Sequence, residues 1–553
     1  MVNFGAKILN NAVSGLRANQ AQIAVTGNNI ANINTTGYAR RTVELQVSTG
    51  ARTGSVNVGN GVEIGNVRRI NDQFLDRALR GTVSQSSGYQ IENSLLQRMQ
   101  GLFTLTGDTQ TIGTTLNDFF TSVGDLSLNP SSIELRSNFL TKAGDLVASI
   151  RSTYSALANL QEEADNRVAA EVGVLNGITQ QIASLNGAIS AIEGPGITAA
   201  DERDRRDQLL TQLAEKVSFD LVEQPDGQVN VFLSNGFPLI AGAESRALAV
   251  TKSPSFAGGN MPPSLSGGVL NSIVYDYGTS AAPAHVDLTQ VIGSRDGEIG
   301  GLLRTRGINA VTNTSAFEGN GPLVEVAARV EAIARTLLTT VNESYRGPDR
   351  DGDYIPPAGD LDPTAGDLYG NTPGVYGLFD FQQSGATPPA KDVNGNGAPD
   401  DLTSPTLGID NYASRLTIAF TDPRQVAAAL DESGVTVGPL VFNPGDGRNM
   451  ENLSSLRTAT HLFTAGNFSL NATFDESYNE AVTKVGAFGA AAFNNERMAE
   501  SQVNAVQSRR DELSSVSLDE EFTRLIQSQR AFQASARLLK IADELLSQVV
   551  QLI

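Results

Sequence analysis

The strongest constraint on the fold is an apolar heptad that runs through the first 33 residues. Large side chains recur every seven positions, at Val2, Leu9, Leu16, Ile23 and Ile30. A second position of the repeat holds Ala12, Asn19, Thr26 and Ile33. This period predicts a helix that packs along one seam, as in a coiled coil. The turn residues 34–37 predict its end, and alternating Val43, Leu45 and Val47 predict a strand after it.

The C-terminus repeats this pattern. Apolar residues recur at Leu518, Leu525, Phe532, Leu539, Leu546 and Ile553, and the flanking positions hold Phe522, Ile526, Ala536 and Val550. Ser517 and Glu520 have the spacing of a capping box, which marks a helix start. Residues 1–43 contain bases and no acid, whereas residues 511–553 contain more acids than bases. Attraction between the two ends is therefore expected, as screened steering.

Periodicity leaves the partner of each terminal helix open. One interpretation is an intramolecular coiled coil that closes a domain, and the other is a seam between many copies of the chain. The apolar surface of one such helix is too small to offset the entropy cost of ordering it alone. We therefore expect the ends to be mobile in the monomer and to become ordered on assembly.

Long helices are predicted for residues 71–217. One apolar face extends over Ile150, Leu157, Leu160, Val168, Val172, Leu175, Ile178, Ile182, Leu185 and Ile189, and Gly194-Pro195-Gly196 ends it. Residues 218–250 alternate around Pro225-Asp226-Gly227, which predicts a β-hairpin. Helical pattern returns at 322–345 and 474–513.

The predicted fold class is mainly α with β, in a discontinuous multidomain chain. Residues 1–45 with 515–553 form a terminal coiled-coil assembly domain. Residues 46–345 with 446–514 form a helical body with a β region near 218–300. The intervening residues 346–445 are rich in Gly, Pro, Asp and Asn, with Leu416, Ile418 and Phe420 in alternation, and predict an inserted β-rich outer domain.

Composition excludes several classes of function. The net charge of -20 disfavours nucleic acid and anionic lipid as partners. No segment has the pattern of a cleavable signal peptide or of a membrane span, so we expect no membrane insertion and signal-independent export. The chain has no Cys and two His, His285 and His461, with no HExxH or GxSxG motif. We therefore expect no enzyme and no resident cofactor.

Two stretches have part of the spacing of a calcium loop. Asp392, Asn394, Asn396 and Asp400 occupy positions 1, 3, 5 and 9 with Gly397 at position 6, but Thr403 replaces the acid at position 12. Asp401 is the candidate that could supply the missing carboxylate. A second run, Asp349, Asp351, Asp353 and Asp360, has its glycine misplaced. These residues also form ordinary turns, so calcium and plain turn chemistry both stay open.

Two other motifs predict no ligand. Gly59-Asn60-Gly61 lies between alternating apolar residues without a following helix, which favours a hairpin turn over a dinucleotide loop. Arg203, Arg205 and Arg206 alternate with Asp201, Glu202, Asp204 and Asp207. That alternation is typical of a solvated helical face.

A family resemblance favours assembly over simple domain closure. The residues Ala31, Asn32, Asn34, Thr35, Gly37, Tyr38 and Arg40 match the ANxNTxGYxR motif, which resembles that of flagellar rod, hook and hook-associated proteins. The stretch from Leu518-Asp519-Glu520-Glu521 to Ala542-Asp543-Glu544-Leu545 is similar to the end of the hook-associated members, although Phe532 replaces the usual Tyr. Together with interior stretches, including Gly300-Gly301-Leu302-Leu303, the resemblance covers about two thirds of the chain.

The resemblance implies a structural subunit of the junction between the flagellar hook and filament. Expected partners are other copies, the hook protein on one side, the second junction protein or flagellin on the other, and an export chaperone. The expected location is extracellular, after export from the cytoplasm. The predicted assembly interface comprises Leu9, Leu16, Ile23, Ile30, Ile33, Leu518, Phe522, Leu525, Phe532, Leu539, Leu546 and Val550. Alternatives are another axial subunit, such as a rod or hook protein, or an insertion that binds or cleaves glycans through paired carboxylates.

Overall fold

The computed structural model describes residues 2–35, 37–48, 60–104, 110–194, 197–252, 264–266, 269–277, 285–308, 318–347, 364–372, 377–381, 412–433 and 440–551. The fold is mainly helical with small antiparallel sheets, as predicted. The helices are α1 (Val2–Ala31), α2 (Gln73–Phe103), α3 (Ile112–Leu128), α4 (Ile133–Glu193), α5 (Ala200–Lys216), α6 (Thr289–Gly293), α7 (Glu298–Arg306), α8 (Pro322–Thr336), α9 (Asn342–Arg346), α10 (Tyr412–Arg415), α11 (Arg448–Ser455), α12 (Phe474–Ser514) and α13 (Leu518–Gln551). A π-helical turn, Leu337–Val341, joins α8 to α9, and Pro423–Gln425 form a 3-10 turn.

The strands are short and pair antiparallel. They are β1 (Arg41–Val47), β2 (Val62–Arg69), β3 (Asp220–Glu223), β4 (Val229–Phe232), β5 (Pro238–Ala241), β6 (Glu244–Ser245), β7 (Ala249–Thr251), β8 (Ser272–Asp276), β9 (His285–Asp287), β10 (Ala365–Gly366), β11 (Phe379–Phe381), β12 (Leu416–Ile418), β13 (Ala429–Leu430), β14 (His461–Ala465) and β15 (Phe468–Ala472). The largest sheet has the order β3-β4-β5-β6, and β7-β8-β9 form a second. The remaining strands pair as β1-β2, β10-β13, β11-β12 and β14-β15.

The chain divides into two compact units. The first contains Met1–Ser87, Gly173–Ala247 and Arg497–Ile553, and the second contains Gly88–Val172 and Leu248–Glu496. Helices α2, α4 and α12 contribute residues to both. The proposed separation of an assembly domain, a helical body and an outer insertion stays a prediction. In the described part of the chain, none of the helices is long and apolar enough to cross a membrane.

The second unit has the larger core. Its apolar cluster joins α3, α8, α11 and the adjoining parts of α4 and α12, and the rings of Phe119, Phe139 and Phe379 meet with centroids 5.7 and 5.8 Å apart. His461 lies in this core, where Nε2 is 2.8 Å from the carbonyl of Leu456 and the ring packs on Phe474. His461 therefore has a packing role. The predicted strand at Leu416 also belongs to this unit and pairs with β11.

The first unit contains both chain ends. In it, α1 packs along α13, the β1-β2 hairpin adjoins α1, and α5 adjoins β2. The predicted hairpin turn is present, because Gly227 has φ +81° and β3 pairs with β4 on either side of it. Asn186 on α4 accepts from the Val229 amide and donates to the Gly242 carbonyl, which holds this sheet to the helix.

Candidate functional site

The candidate functional site is the contact between the two terminal helices, α1 and α13. Small residues line the contact between α1 and α13. Ser535 Oγ lies 3.2 Å from where a Cβ on Gly15 would stand, and Ser528 donates to Gln22 at 3.3 Å. Asn19 Nδ2 also donates to Ser535 at 3.4 Å. A single chain therefore brings both ends together, as the intramolecular interpretation requires. Mobility of the ends in the monomer stays a prediction.

The predicted apolar residues of this contact are only partly buried. Leu525, Phe532 and Leu539 lie three or four positions from Ser528 and Ser535, on the same face of α13, and each is half-buried. We call these three residues the seam. On α1 the half-buried set is Leu9, Leu16, Ile23, Ile30 and Ile33. Leu518 is exposed at the start of α13, and Leu546 and Val550 have side chains outside the described part of the structure.

Other large apolar residues of α13 face solvent. They are Phe522, Ile526, Leu538, Ile541 and Leu545, each about half exposed, and we call them the outer apolar residues. Of these, only Phe522 belongs to the predicted interface. A two-helix contact covers one stripe of each helix, so about half of each of these side chains stays exposed to solvent.

Asn29 is the centre of a polar cluster at the end of α1. It is buried, and its amide nitrogen donates to the Arg41 carbonyl and to Glu521 Oε2, both at 2.9 Å. Its amide oxygen accepts from the Tyr38 hydroxyl at 2.8 Å and from the Arg41 backbone N–H at 3.1 Å. All its bonding capacity is therefore used, and α1, the following turn and α13 meet at one side chain.

Arg40 completes this cluster by pairing with α13. Its Nε lies 2.9 Å from Glu521 Oε1, and its Nη2 lies 2.7 Å from Glu520 Oε2. The Glu521 side chain is 1% exposed, whereas that of Glu520 is 59% exposed. We call Asn29, Tyr38, Arg40 and Glu521 the polar anchor. The expectation of screened steering between the ends was wrong here, since salt screens a buried pair poorly.

The motif residues form the turn that places the Arg40 side chain against α13. Gly37 has φ +80°, which favours glycine, and a Cβ there would contact the Gln208 side chain. The Asn32 side chain accepts from the Thr35 hydroxyl at 3.2 Å, and Ala31 and Asn34 are exposed. Burial raises the pKa of Tyr38, so its hydroxyl stays protonated and donates to Asn29.

A second charged cluster lies beside the anchor and corrects an expectation. The acidic and basic residues of α5 are not a uniformly solvated face, because Asp204 and Arg206 are buried. Asp204 accepts from Arg41 at 2.7 Å and pairs with Arg69 at 2.8 Å. Burial raises the pKa of Asp204, while Arg69 and Arg41 lower it. Arg205, in contrast, is exposed as predicted.

Sequence reasoning missed Asn29, Arg41 and Asp204 as structural residues. Asn29 stands just before the recognised motif, in a segment whose apolar period does not distinguish one polar residue from another. The one available signal was the unusual absence of acids from residues 1–43, which left Arg40 and Arg41 without local partners. That absence points to carboxylates elsewhere in the chain.

Neither predicted calcium loop is tested by the structure. Asp392, Asn394, Asn396 and Asp400, and the second run from Asp349 to Asp360, lie outside the described residues. Within the described ranges, no group of three or more His, Asp or Glu side chains is placed to hold a metal ion.

Comparison with known proteins matches three parts of the chain to flagellar families. A model described as "Flagellar hook-associated protein FlgK helical domain" matches residues 96–354. The model "Flagella basal body rod protein" matches residues 9–38, and "Flagellar basal body rod FlgEFG protein C-terminal" matches residues 507–552. The two terminal matches contain the helices that form the anchor and the seam.

Two relatives extend the similarity over nearly the whole chain. The "Flagellar hook-associated protein 1" of Escherichia coli is 24% identical, covering 99% of this chain and 100% of its own length. That of Bacillus subtilis is 26% identical, covering 98% and 97%. A solved structure titled as the flagellar hook junction protein FlgK from Burkholderia pseudomallei matches with a TM-score of 0.57 at 16% identity. It covers 80% of this chain and 100% of its own, and shows the fold.

Proposed function

Since this chain belongs to the family of the flagellar hook-associated protein FlgK, we propose that it is a structural subunit of the hook-filament junction. In this proposal it assembles through its terminal helices. The main observation in support of this assembly mechanism is that α13 is only partly buried. One face is closed by α1 and the polar anchor, while the outer apolar residues stay exposed.

The contacts between α1 and α13 support a helix pair that enters assembly as a preformed unit, which is the alternative to ends that become ordered only on assembly. Apolar side chains that are half exposed on a monomer mark a surface where a partner fits. Burying the five outer apolar residues against neighbouring copies would remove them from water, which is the dominant favourable contribution to association. The anchor would meanwhile hold α1 and α13 in one register, so every copy presents the same surface.

The proposed location and partners follow from the family. The subunit is exported from the cytoplasm, aided by an export chaperone, and works outside the cell. It contacts other copies of itself, the hook protein on one side, and the second junction protein or flagellin on the other. Its role is structural, with no catalytic step.

The decisive experiment changes the outer face without changing the seam. Ile526→Asp places a charge where assembly would bury an apolar side chain, and should abolish incorporation into flagella. Thr523→Asp is the matched control, because it adds the same charge to an exposed polar position of the same helix. Motility and electron microscopy of cells with each variant give the result.

Incorporation of Ile526→Asp at the wild-type level would contradict the assembly mechanism. Electron microscopy of cells that lack the protein separates the remaining axial roles. Loss of the filament with an intact hook supports a junction subunit, whereas loss of the hook supports a rod or hook subunit.

The insertion carries the less favoured alternatives. A calcium site at Asp392, Asn394, Asn396 and Asp400 is inferred from sequence spacing. Titrating calcium into the chain and into an Asp392→Asn variant by calorimetry tests it, because heat that the variant loses identifies this loop. Hydrolysis of a panel of glycans by the purified chain would instead favour a glycan-active insertion.

A further inference from the structure

A cavity of 490 Å³ in the first unit is lined by arginine side chains from three elements. They are Arg68 and Arg69 of β2, Arg77 and Arg80 of α2, and Arg203 and Arg206 of α5. The cavity is partly open to solvent. Six guanidinium groups around one opening are unusual in a chain whose net charge is -20.

The carboxylates at the cavity already have partners. Asp207 pairs with Arg69, and Glu223 pairs with Arg203 at 2.7 Å. The third, Asp76, pairs with Arg510 at 3.0 Å. A fourth, Glu44, is exposed on β1. In the described part of the chain, these carboxylates form no ion pair with the remaining arginines and act on them only from a distance.

Arg77 lies 3.6 Å from Asp220, so the cavity arginines without an ion pair among the described residues are Arg68, Arg80 and Arg206. Arg206 is 2% exposed, and it donates to the Asn186 side chain at 3.1 Å and to the Gly227 carbonyl at 2.7 Å, both neutral acceptors. Its Nε is buried with no hydrogen-bond acceptor among the described residues. For Arg80, no carboxylate in the described part of the chain lies within ion-pair distance.

Arg80 and Arg206 both carry charge at an electrostatic cost. Burial lowers the pKa of Arg80, which Asp207 and Asp76 raise and Arg77 and Arg510 lower, with a lowered pKa as the net result. Burial also lowers the pKa of Arg206, where Asp207 and Glu223 oppose this shift and Arg203 and Arg69 add to it. An anion in the cavity would relieve this repulsion and accept hydrogen bonds from the guanidinium N–H groups that have no acceptor.

We propose that this cavity binds the carboxylates of an acidic segment from a second copy of the chain. The proposal rests on the proposed function, in which copies assemble side by side. Copies with a charge of -20 repel each other, so a contact between them needs a local cationic site. The arginines are spread over three elements, which fits several carboxylates on one peptide better than a single small ion.

The sequence supplies such a segment. Residues 349–362 contain Asp349, Asp351, Asp353, Asp360 and Asp362 with Arg350 as their only base. A peptide with this sequence is therefore the probe. Its control is the same peptide with the five Asp changed to Asn, which keeps the length and all other residues but removes the five negative charges.

The experiment is calorimetric titration of the full chain, at a concentration where it sediments as a monomer. We expect the acidic peptide to bind and the Asn peptide not to bind. Arg80→Gln and Arg68→Gln should each weaken binding about tenfold. Arg205→Gln, which changes an exposed residue of α5 outside the cavity lining, alters net charge equally and should leave binding within about twofold.

Arg68 is itself exposed, so its substitution tests the site even where Arg80→Gln disturbs folding. Equal binding to wild type and Arg68→Gln overturns the proposal, as does binding of inorganic phosphate without binding of the peptide. Because this titration uses monomers, its failure leaves assembly through the terminal helices intact. The Ile526→Asp experiment tests that mechanism separately.

Discussion

The polar anchor and the outer apolar residues both involve α13, but they differ in how completely their side chains are buried and paired. At the anchor, Asn29 makes four hydrogen bonds and Glu521 is fully buried between Arg40 and Asn29. Along the rest of α13, Ile526 and Leu538 remain half exposed. The anchor satisfies the hydrogen-bonding groups of the Asn29 side chain within the chain. The outer apolar residues instead leave apolar surface available to a partner.

This difference teaches how one chain can satisfy polar groups internally and still present apolar surface for the assembly proposed above. Hydrogen bonds and ion pairs are directional, so the anchor determines which residues of α1 and α13 are neighbours. Apolar contact is not directional and grows with the area removed from water, so the outer residues suit a surface shared among copies. Four substitutions test this division, and each has a matched control.

The largest expected effect is at Glu521. Glu521→Ala leaves the buried Arg40 with only the exposed Glu520, and should lower the free energy of opening the α1-α13 contact by about 3 kcal/mol. Glu520→Ala removes the exposed partner of the same arginine and should cost less than about 1 kcal/mol. Native-state hydrogen exchange of α1 amides measures both. Equal losses would show that the anchor is not a buried ion pair in solution.

The seam should respond next. Leu525→Ala removes a half-buried side chain on the face toward α1 and should cost about 1.5 kcal/mol in the same exchange measurement. Leu538→Ala, on an outer residue, should cost less than about 0.5 kcal/mol in the monomer but should reduce assembly. If both variants have the same effect on the monomer, the seam and the outer residues are not separate surfaces.

A pair of glycines tests the turn that leads into the anchor. Gly37→Ala forces an L side chain into φ +80° beside Gln208, and should destabilise the turn by about 1 kcal/mol. Gly27→Ala lies in α1 with nothing within 4 Å of the added Cβ, and should stabilise the helix by about 0.8 kcal/mol. Opposite shifts in the opening free energy of α1 are expected. A shift of the same sign would contradict the turn geometry.

The smallest expected effect is at Tyr38. Tyr38→Phe removes the hydroxyl that donates to Asn29. It keeps the aromatic ring, whose centroid lies 4.8 Å from Arg41 Cζ. The expected cost is about 0.5 kcal/mol, because Asn29 Oδ1 still accepts from the Arg41 backbone N–H. Tyr277→Phe, on an exposed tyrosine of the second unit, is the control. No change at Tyr38 would place its hydroxyl outside the anchor.

Several elements of the fold could be predicted because they depend on local pattern. The heptads located α1 and α13, and the proposed cap at Ser517 agrees with the start of α13 at Leu518. The alternation around Pro225-Asp226-Gly227 located the β3-β4 hairpin. The motif residues Gly37, Tyr38 and Arg40 lie at the turn and the polar anchor, and their functional importance stays a prediction. In each case the signal lies within a few residues of the element itself.

What the chain's pattern alone determined is where each terminal helix has an apolar face and where it begins and ends. Only the tertiary structure decided that these faces meet within one chain, that Asn29 joins them, and that Asp204 is buried between Arg41 and Arg69. The reason is physical. Periodicity is a property of neighbouring residues, whereas a hydrogen bond between Asn29 and Glu521 depends on the path of the whole chain between them.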